Sequence, residues 1–244
     1  MNDRGGLEDQ KVLPVPRSKR EARRFYDSIS GIYDALSALF ERKNTEKAIE
    51  LSPLSWGETV IDIGFGTGYS LQRISEKAGP GEVMGLDLSP GMVRQTLARL
   101  GRAGIEGVNL VIGDAACLPW RDEVLDAAFM GFTLELFDTP EIPVVLGEVR
   151  RVLKDGGRFS ITSLSREKKT LMLRVYEWAH GHWPAKLDCR PIYVEQSMEE
   201  AGFEIIESER SGMMGLPVKI IVAEKGREGS KYLGGFRRVG YSGL

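Results

Sequence analysis

Two aspartates and three glycines in the stretch 62–87 are the residues whose types and spacing first suggest chemistry. Asp62 stands two positions before Gly64-Phe65-Gly66-Thr67-Gly68, and Asp87 ends the next apolar run of the chain. The glycines allow a tight turn and let the backbone approach a ligand where a Cβ atom would collide. An acid at the end of a second strand can accept hydrogen bonds from both hydroxyls of a ribose.

The position of Asp62 bears on the class of ligand. In a dinucleotide fold the helix after the glycines receives a pyrophosphate, but a carboxylate beside that turn repels phosphate and favours a cation. A ligand with a ribose and a positively charged amino-acid end satisfies both aspartates, and S-adenosylmethionine is such a ligand. A glycine turn that binds no ligand is the alternative.

The surrounding pattern predicts the elements that position these residues. Val60, Ile61 and Ile63 form a short β-branched run, typical of a strand buried on both faces. An amphipathic helix is predicted at 68–78, and strand, glycine turn and helix form the first unit of a doubly wound sheet. Further strands are predicted at 82–87, 108–112, 125–132, 158–163, 203–209 and 216–223, and further helices at 90–100, 142–153 and 195–202. The predicted fold is therefore α/β, with seven strands that are mostly parallel, an antiparallel C-terminal strand, and helices on both faces.

Several short motifs, taken in order, resemble those of the class I S-adenosylmethionine-dependent methyltransferases, whose fold is Rossmann-like. Besides the glycine turn they are Gly113-Asp114-Ala115, Leu118-Pro119-Trp120, Asp126-Ala127-Ala128-Phe129 and Leu153-Lys154-Asp155-Gly156-Gly157-Arg158. Within that class, residues 45–165 look most like the ubiquinone/menaquinone-biosynthesis C-methyltransferases and some bacterial phospholipid N-methyltransferases. The resemblance implies S-adenosylmethionine as cofactor and S-adenosylhomocysteine as product. The expected cofactor contacts are Tyr33, Asp62, Gly64, Gly66, Gly68, Asp87, Leu88, Met92, Asp114, Ala115 and Phe132.

Asp114 and Tyr33 could each have a structural role instead of contacting the cofactor. The resemblance places Asp114 at the adenine amino group, with Ala115 donating from its backbone; the alternative is an aspartate that caps a turn. Tyr33 matches the tyrosine that approaches the cofactor in the relatives, and the alternative is a residue that packs under a lid. Tyr26 lies seven positions earlier on nearly the same helical face and is a catalytic candidate.

The residues after the fourth strand bear on the methyl acceptor. Quinone-ring methyltransferases usually carry Phe-Gly-Leu-Arg-Asn there, whereas this chain has Phe132-Thr133-Leu134-Glu135-Leu136. Quinone C-methylation therefore loses support, and the preferred acceptor is a membrane lipid such as the amine headgroup of phosphatidylethanolamine. Methylation of a quinone ring, or of another small lipophilic metabolite, is the alternative. Glu135 is the catalytic acid expected nearest the acceptor, or else a solvent-facing carboxylate at a helix start.

The segment 18–51 is predicted to form amphipathic helices, divided near Gly31, before the methyltransferase domain at 52–224. Its start is basic, so it forms either a lid on the domain or a helix on an anionic membrane surface. The basic residues are Arg17, Lys19, Arg20, Arg23 and Arg24. Residues 1–17 and 225–244 are expected to be mobile tails.

An insertion at 165–193 is predicted to roof the acceptor pocket with its aromatic side chains. A satellite hydrophobic cluster and a zinc site are the alternatives. The residues concerned are Tyr176, Trp178, His180, His182, Trp183, Cys189 and Tyr193.

Composition restricts the partners and the compartment. The net charge of −2 gives no field that attracts nucleic acid. The two cysteines form no metal-binding or disulfide pattern, so we expect no metal. No apolar run approaches the ~20 residues that span a bilayer, and the N-terminus has no signal sequence. A cytoplasmic protein, peripheral at the inner membrane face, is expected.

Overall fold

A central sheet of seven strands organises the computed structural model, which describes residues 15, 17–79, 81–167, 176 and 190–226, with the side chains of 32–40 left out. In chain order the strands are β1 (Val60–Ile63), β2 (Val83–Asp87), β3 (Asn109–Ile112), β4 (Leu125–Gly131), β5 (Leu153–Leu164), β6 (Phe203–Met213) and β7 (Leu216–Lys225).

The order of the strands across the sheet is β3-β2-β1-β4-β5-β7-β6. The first five run parallel, and β7 lies antiparallel to both β5 and β6. The chain leaves β1 towards β2 on one side and later returns to β4 on the other, so the order reverses between β1 and β4. Ligands of doubly wound sheets bind at such a point, beyond the carboxyl ends of the strands. The predicted fold class is confirmed, although β5 begins at Leu153 rather than at residue 158.

The helices surround this sheet, and one of them corrects the sequence prediction. The first helix continues through Gly31, so the predicted division there is wrong, and the break falls at Glu41 instead. A glycine inside a helix costs only about 1 kcal/mol relative to alanine, which tertiary contacts can offset. The helices are α1 (Lys19–Phe40), α2 (Arg42–Leu51), α3 (Tyr69–Ala78), α4 (Pro90–Ala103), α5 (Ile142–Val152) and α6 (Val194–Glu200).

The core lies on both faces of the sheet, and β1 is buried throughout. Ile61 and Ile63 face a cluster that includes Val145 of α5. Val60 belongs to a second cluster with Leu71 of α3. Because side chains alternate between the faces of a strand, Asp62 shares the face of Val60, towards α3.

One residue of each predicted tail contacts the folded domain. Lys225 is buried at the end of β7 and donates hydrogen bonds to Glu123 and to the carbonyl of Leu153. At the other end, the backbone N–H of Val15 donates to Asp138 at 2.8 Å.

The predicted roof of the acceptor pocket falls largely outside the described residues. Of the insertion 165–193 the structure describes 165–167, Tyr176 and 190–193. Residues 1–14, 16 and 227–244 also lie outside, as do the proposed roof and zinc residues Trp178, His180, His182, Trp183 and Cys189. Among the described residues, no helix combines the length and the apolar character needed to cross a membrane.

Gly85 of β2 offers a test of how tightly this core is packed. A Cβ atom there would lie 2.6 Å from a ring carbon of Phe65 and 2.7 Å from a methyl of Leu71. We expect Gly85→Ala to lower the free energy of unfolding by about 1–3 kcal/mol, the usual cost of overpacking. Urea denaturation measures this change through the midpoint.

Gly101→Ala is the matched control for this substitution. Its Cβ would meet no atom within 4 Å on α4, so alanine should raise stability by up to about 1 kcal/mol through helix propensity. Equal midpoints for the two variants would contradict the packing argument.

Candidate cofactor and active site

A cavity of about 490 Å³ opens at the carboxyl ends of β1, β2 and β4. Its volume falls within the range of about 300–1,000 Å³ that small-molecule sites occupy. The walls come from the start of α1, residues 41–45, the turn after β1, the ends of β2 and β3, and residues 131–138 after β4. The cavity therefore lies where the order of the sheet reverses.

The glycine turn forms one wall, but its three glycines do not have the same role. All three have positive φ angles, of 74°, 53° and 79° at Gly64, Gly66 and Gly68, a region that favours glycine. Gly64 and Gly66 line the cavity, whereas Gly68 does not. A Cβ at Gly68 would lie 2.5 Å from a methyl of Thr96. Gly68 is required for close packing on α4, and its predicted cofactor contact stays a prediction.

Asp87 lies at the cavity with both carboxylate oxygens held by backbone N–H groups. Gly66 donates to one oxygen at 2.9 Å and Ser89 to the other at 2.9 Å. The side chain belongs to a residue that is only 9% exposed. Burial raises its pKa to about 6, and the nearby charge of Asp27 adds to the shift. The carboxylate is thus fixed in place at the cavity, with lone pairs for a ligand's hydroxyl groups.

Asp62 does not line the cavity, and its predicted contact with the cofactor stays a prediction. It points towards α3, where the hydroxyl of Ser70 donates a hydrogen bond to its carboxylate. Ser70 itself lines the cavity and separates Asp62 from it. Burial raises the pKa of Asp62 to about 7; the Ser70 hydrogen bond opposes the shift and the charge of Asp87 adds to it. Asp62 can therefore favour a cation only through Ser70 or at longer range.

Asp114 lines the cavity, and α1 already contacts it. One oxygen accepts from the backbone N–H of Ala116 at 3.0 Å, as in the turn-capping alternative. The other accepts from the ammonium of Lys19 at 2.7 Å, which also pairs with Glu141 at 2.8 Å. A carboxylate oxygen has more than one lone pair, so the adenine contact remains a prediction beside the Lys19 contact.

The remaining predicted cofactor residues with described side chains supply apolar walls. Leu88, Met92, Ala115 and Phe132 all line the cavity. Phe132 has a φ of 50°, a left-handed conformation that costs a non-glycine residue of order 1–3 kcal/mol and concentrates at functional sites. Its buried side chain packs in a cluster with Val218 of β7, which holds the backbone in that state.

The two catalytic candidates differ in position. Tyr26 lines the cavity from α1. Glu135 lies in a short 3₁₀ helix and is 0% exposed. Its carboxylate accepts from the hydroxyl of Ser163 at 2.9 Å and from the N–H of Leu164 at 3.2 Å, and burial raises its pKa to about 7. The alternative in which Glu135 faces solvent is wrong, and since Glu135 does not line the cavity, its catalytic role stays a prediction. The cofactor contact of Tyr33 stays a prediction, since its side chain lies outside those described.

Several lining residues were missed by sequence reasoning. Tyr69 and Ser70 follow the glycine turn directly. Their position in the first turn of the helix could have predicted that they line the cavity. Lys19 and Arg42 gave no such signal, because they come from helices that precede the sheet. The guanidinium of Arg42 lies 4.6 Å from the ring centroid of Tyr69, and the Tyr69 hydroxyl donates to Glu46.

The donor set fits S-adenosylmethionine. Asp87 presents a fixed carboxylate for a ribose, the flanking apolar side chains suit a purine, and Asp62 places negative charge behind Ser70. In the described part of the chain, no group of three or more His, Cys, Asp or Glu side chains is placed to hold a metal ion.

The buried charge of Asp62 predicts a pH-dependent cost in stability. Its pKa is higher in the folded protein than the ordinary 3.8, so the folded state holds the proton more tightly than the unfolded chain. The resulting stability is present at low pH and is lost as the pH rises through about 7. We expect Asp62→Asn, which keeps an acceptor for Ser70, to be more stable than the parent at about pH 8 by at least ~1.4 kcal/mol, the value of one pKa unit.

Urea denaturation between about pH 5 and about pH 8 measures this effect. The gain from Asp62→Asn should grow with pH, and the exposed Glu106→Gln is the matched control. A gain that does not change with pH would contradict the assignment of a buried charge.

Comparisons with known proteins show which families this chain resembles. A methyltransferase domain family matches residues 60–157. A demethylmenaquinone methyltransferase of Thermobifida fusca is 31% identical over 67% of this chain and 70% of its own length. A ubiquinone/menaquinone biosynthesis C-methyltransferase of Acidiphilium cryptum is 31% identical over 71% of both chains. A bifunctional biotin biosynthesis protein of Teredinibacter turnerae is 28% identical over 79% of this chain, which spans only 35% of that protein.

The fold is also found among solved structures. A methyltransferase structure from Methanosarcina mazei aligns with a TM-score of 0.61 at 21% identity, and the match covers 73% of this chain and 99% of that one. At this identity the likeness shows the fold alone, whereas the curated relatives show the family and S-adenosylmethionine as its cofactor. The chain belongs to the class I S-adenosylmethionine-dependent methyltransferases and, within them, resembles the ubiquinone/menaquinone-biosynthesis branch.

Proposed function

We propose that the chain methylates a lipophilic ring acceptor of the quinone type. The observation that carries the proposal is the 31% identity to two quinone-pathway methyltransferases across about 70% of their lengths. This reverses the preference that the sequence alone suggested, because none of the relatives described above is a phospholipid N-methyltransferase. The chain lacks the Arg-Asn pair that the quinone-ring methyltransferases usually carry after the residue matching Phe132. We therefore propose a class of ring acceptors and not one particular quinone.

The composition of the cavity walls supports an apolar acceptor. Beside Phe132, the segment after β4 contributes Leu136 and Phe137, and α1 contributes Ala22. Apolar and aromatic side chains gain free energy from burying a ring. An ammonium headgroup would lose hydration there and would also have to lose its proton before methylation.

In the proposed mechanism the main role of the chain is to bind the cofactor and the acceptor and to align them. Bound S-adenosylmethionine supplies an activated methyl group on a sulfonium. Asp87 and Asp114 hold the nucleoside end, and α1 covers the cavity and excludes water. Tyr26 is proposed to contact the acceptor, where its hydroxyl can donate a hydrogen bond to a ring oxygen that has already lost its proton to water. Glu135 has no part in this step, because it has no exposed surface.

An assay with two acceptors tests the proposal. Purified protein is supplied with S-adenosylmethionine and either a prenylated naphthoquinol or phosphatidylethanolamine vesicles, and the products are identified by mass spectrometry. We expect a singly methylated quinol and unchanged phosphatidylethanolamine. Tyr26→Phe should slow quinol methylation at least about tenfold, the effect of losing a general acid–base or hydrogen-bonding group, without weakening S-adenosylhomocysteine binding.

Ser28→Ala is the control on the same helix, because its exposed hydroxyl donates to the carbonyl of Phe25 and to no other group among the described residues. Methylation of phosphatidylethanolamine alone would contradict the proposal and identify the lipid headgroup as the acceptor. A normal rate for Tyr26→Phe would leave Tyr26 as a wall residue.

We further propose that the protein works at an anionic membrane surface, where a lipophilic acceptor is found. Arg20, Arg23 and Arg24 are exposed on α1. Lys19 is unsuited to this role because it pairs with Asp114 and Glu141, and the guanidinium of Arg17 lies 3.7 Å from the ring centroid of Phe25. The proposal therefore rests on three of the five basic residues that the sequence suggested.

Flotation with vesicles tests this surface. The combined substitution of Arg20, Arg23 and Arg24 by glutamine should release the protein from anionic vesicles, since each basic residue near such a surface contributes about 1 kcal/mol. Glutamine at the exposed Arg102, Arg121 and Arg210 changes the net charge equally and is the matched control. Equal release by both triple variants, or no lipid dependence in the parent, would contradict the proposal.

A further inference from the structure

Ser89 connects α1 to the aspartate at the end of β2. Its backbone N–H donates to one carboxylate oxygen of Asp87 at 2.9 Å. Its hydroxyl donates to Asp27 of α1 at 2.7 Å and accepts from the N–H of Met92 at 3.1 Å, as the N-cap of α4. A serine hydroxyl has one proton and two lone pairs, so the proton of Ser89 is directed at Asp27 and a lone pair at α4.

Asp27 also contacts the first turn of α4 directly. The same carboxylate oxygen accepts from the N–H of Gly91 at 2.7 Å. A Cβ at position 91 would lie 3.0 Å from the Cα of Asp27 and 2.9 Å from the hydroxyl of Ser30. Glycine therefore permits the close approach of α1 to this turn, where a carboxylate is stabilised by free N–H groups and by the helix dipole.

The neighbours of Asp27 place this contact beside the cofactor cavity. Tyr26, which precedes it on α1, lines the cavity, and so does Asp87. Asp87 depends on Ser89 for one of its two backbone hydrogen bonds and on Gly66 for the other. A displacement of Asp27 would thus disturb both the lid helix and the residue that is expected to bind the ribose.

We propose that Asp27 is a positioning residue for the cofactor: through Ser89 it orients Asp87, and through Ser89 and Gly91 it fixes α1 so that Tyr26 reaches the cavity. This role of Asp27 concerns the binding of the cofactor and is independent of which acceptor is methylated.

The charge of Asp27 affects the pKa of Asp87, and this effect can be measured. Asp87 faces two other carboxylates, Asp62 on β1 and Asp27 on α1, and after burial the charge of Asp27 contributes to raising the pKa of Asp87. Arg23 on α1 and Arg94 on α4, together with the hydrogen bonds from Ser89 and Gly91, oppose burial and lower the pKa of Asp27. Asp27 therefore stays ionised while Asp87 takes up a proton near pH 6.

Calorimetric titration with S-adenosylhomocysteine, from about pH 8 to about pH 5, tests the proposal without an acceptor or turnover. In the parent, affinity should fall as Asp87 is protonated, because the protonated acid has lost an acceptor site for the ribose hydroxyls. Asp27→Ala removes both acceptor contacts and should weaken binding at least about tenfold at about pH 8, the effect of roughly 1.4 kcal/mol.

Asp27→Asn separates position from charge. Its side-chain oxygen can still accept from Ser89 and Gly91, so the affinity at about pH 8 should stay within about threefold of the parent. The loss of the negative charge should move the midpoint of the pH dependence to lower pH, because Asp87 then ionises more readily. Ser28→Ala, with an exposed hydroxyl on the same helix, should leave both affinity and midpoint unchanged.

Two results would overturn the proposal. One is binding by Asp27→Ala that equals the parent. The other is binding by Asp27→Asn that is as weak as that of Asp27→Ala with no change in midpoint, which would give Asp27 only a role in folding. If Asp27→Ala does not fold, the affinity and the pH midpoint of Asp27→Asn decide the question alone.

Discussion

The site depends on keeping negative charge at the buried ends of two adjacent strands. Asp62 and Asp87 lie on neighbouring parallel strands, and the charge of Asp87 adds to the cost that burial places on ionising Asp62. Carboxylates in such surroundings persist when hydrogen-bond donors compensate for lost water. Here the donors are the Ser70 hydroxyl and the N–H groups of Gly66 and Ser89. The glycine turn is thus part of the electrostatics of the site as well as of its shape.

The N-terminal helix completes the site through contacts between polar groups. It meets Asp114 at the cavity through Lys19 and the first turn of α4 through Asp27. The contacts of α1 with the cavity wall described above are made by these charged side chains, whereas α2 also packs in the hydrophobic core through Ala48 and Ile49.

Sequence reasoning recovered the sheet and the general position of the site, because apolar runs and glycines are local signals. Strand β1, the turn after it and Asp87 are defined by residues that are close together in the chain. The errors have a common physical cause. Glu135 was misplaced because nothing near it in the sequence reveals its hydrogen bonds with Ser163 and Leu164 on another strand. The ion pairs of Lys19 were not predicted, because its partners lie far away in the chain.

The contact of Lys19 with Asp114 and Glu141 has a consequence for how firmly the cavity wall is closed. The three side chains are 38%, 33% and 40% exposed, and ion pairs so accessible to water contribute about 0–1 kcal/mol each. This part of the cavity wall is therefore closed by contacts that thermal motion opens readily and that salt weakens further. Breaking the two ion pairs requires no helix to unfold, so this end of the wall can open while the contacts of Asp27 still hold α1 against α4.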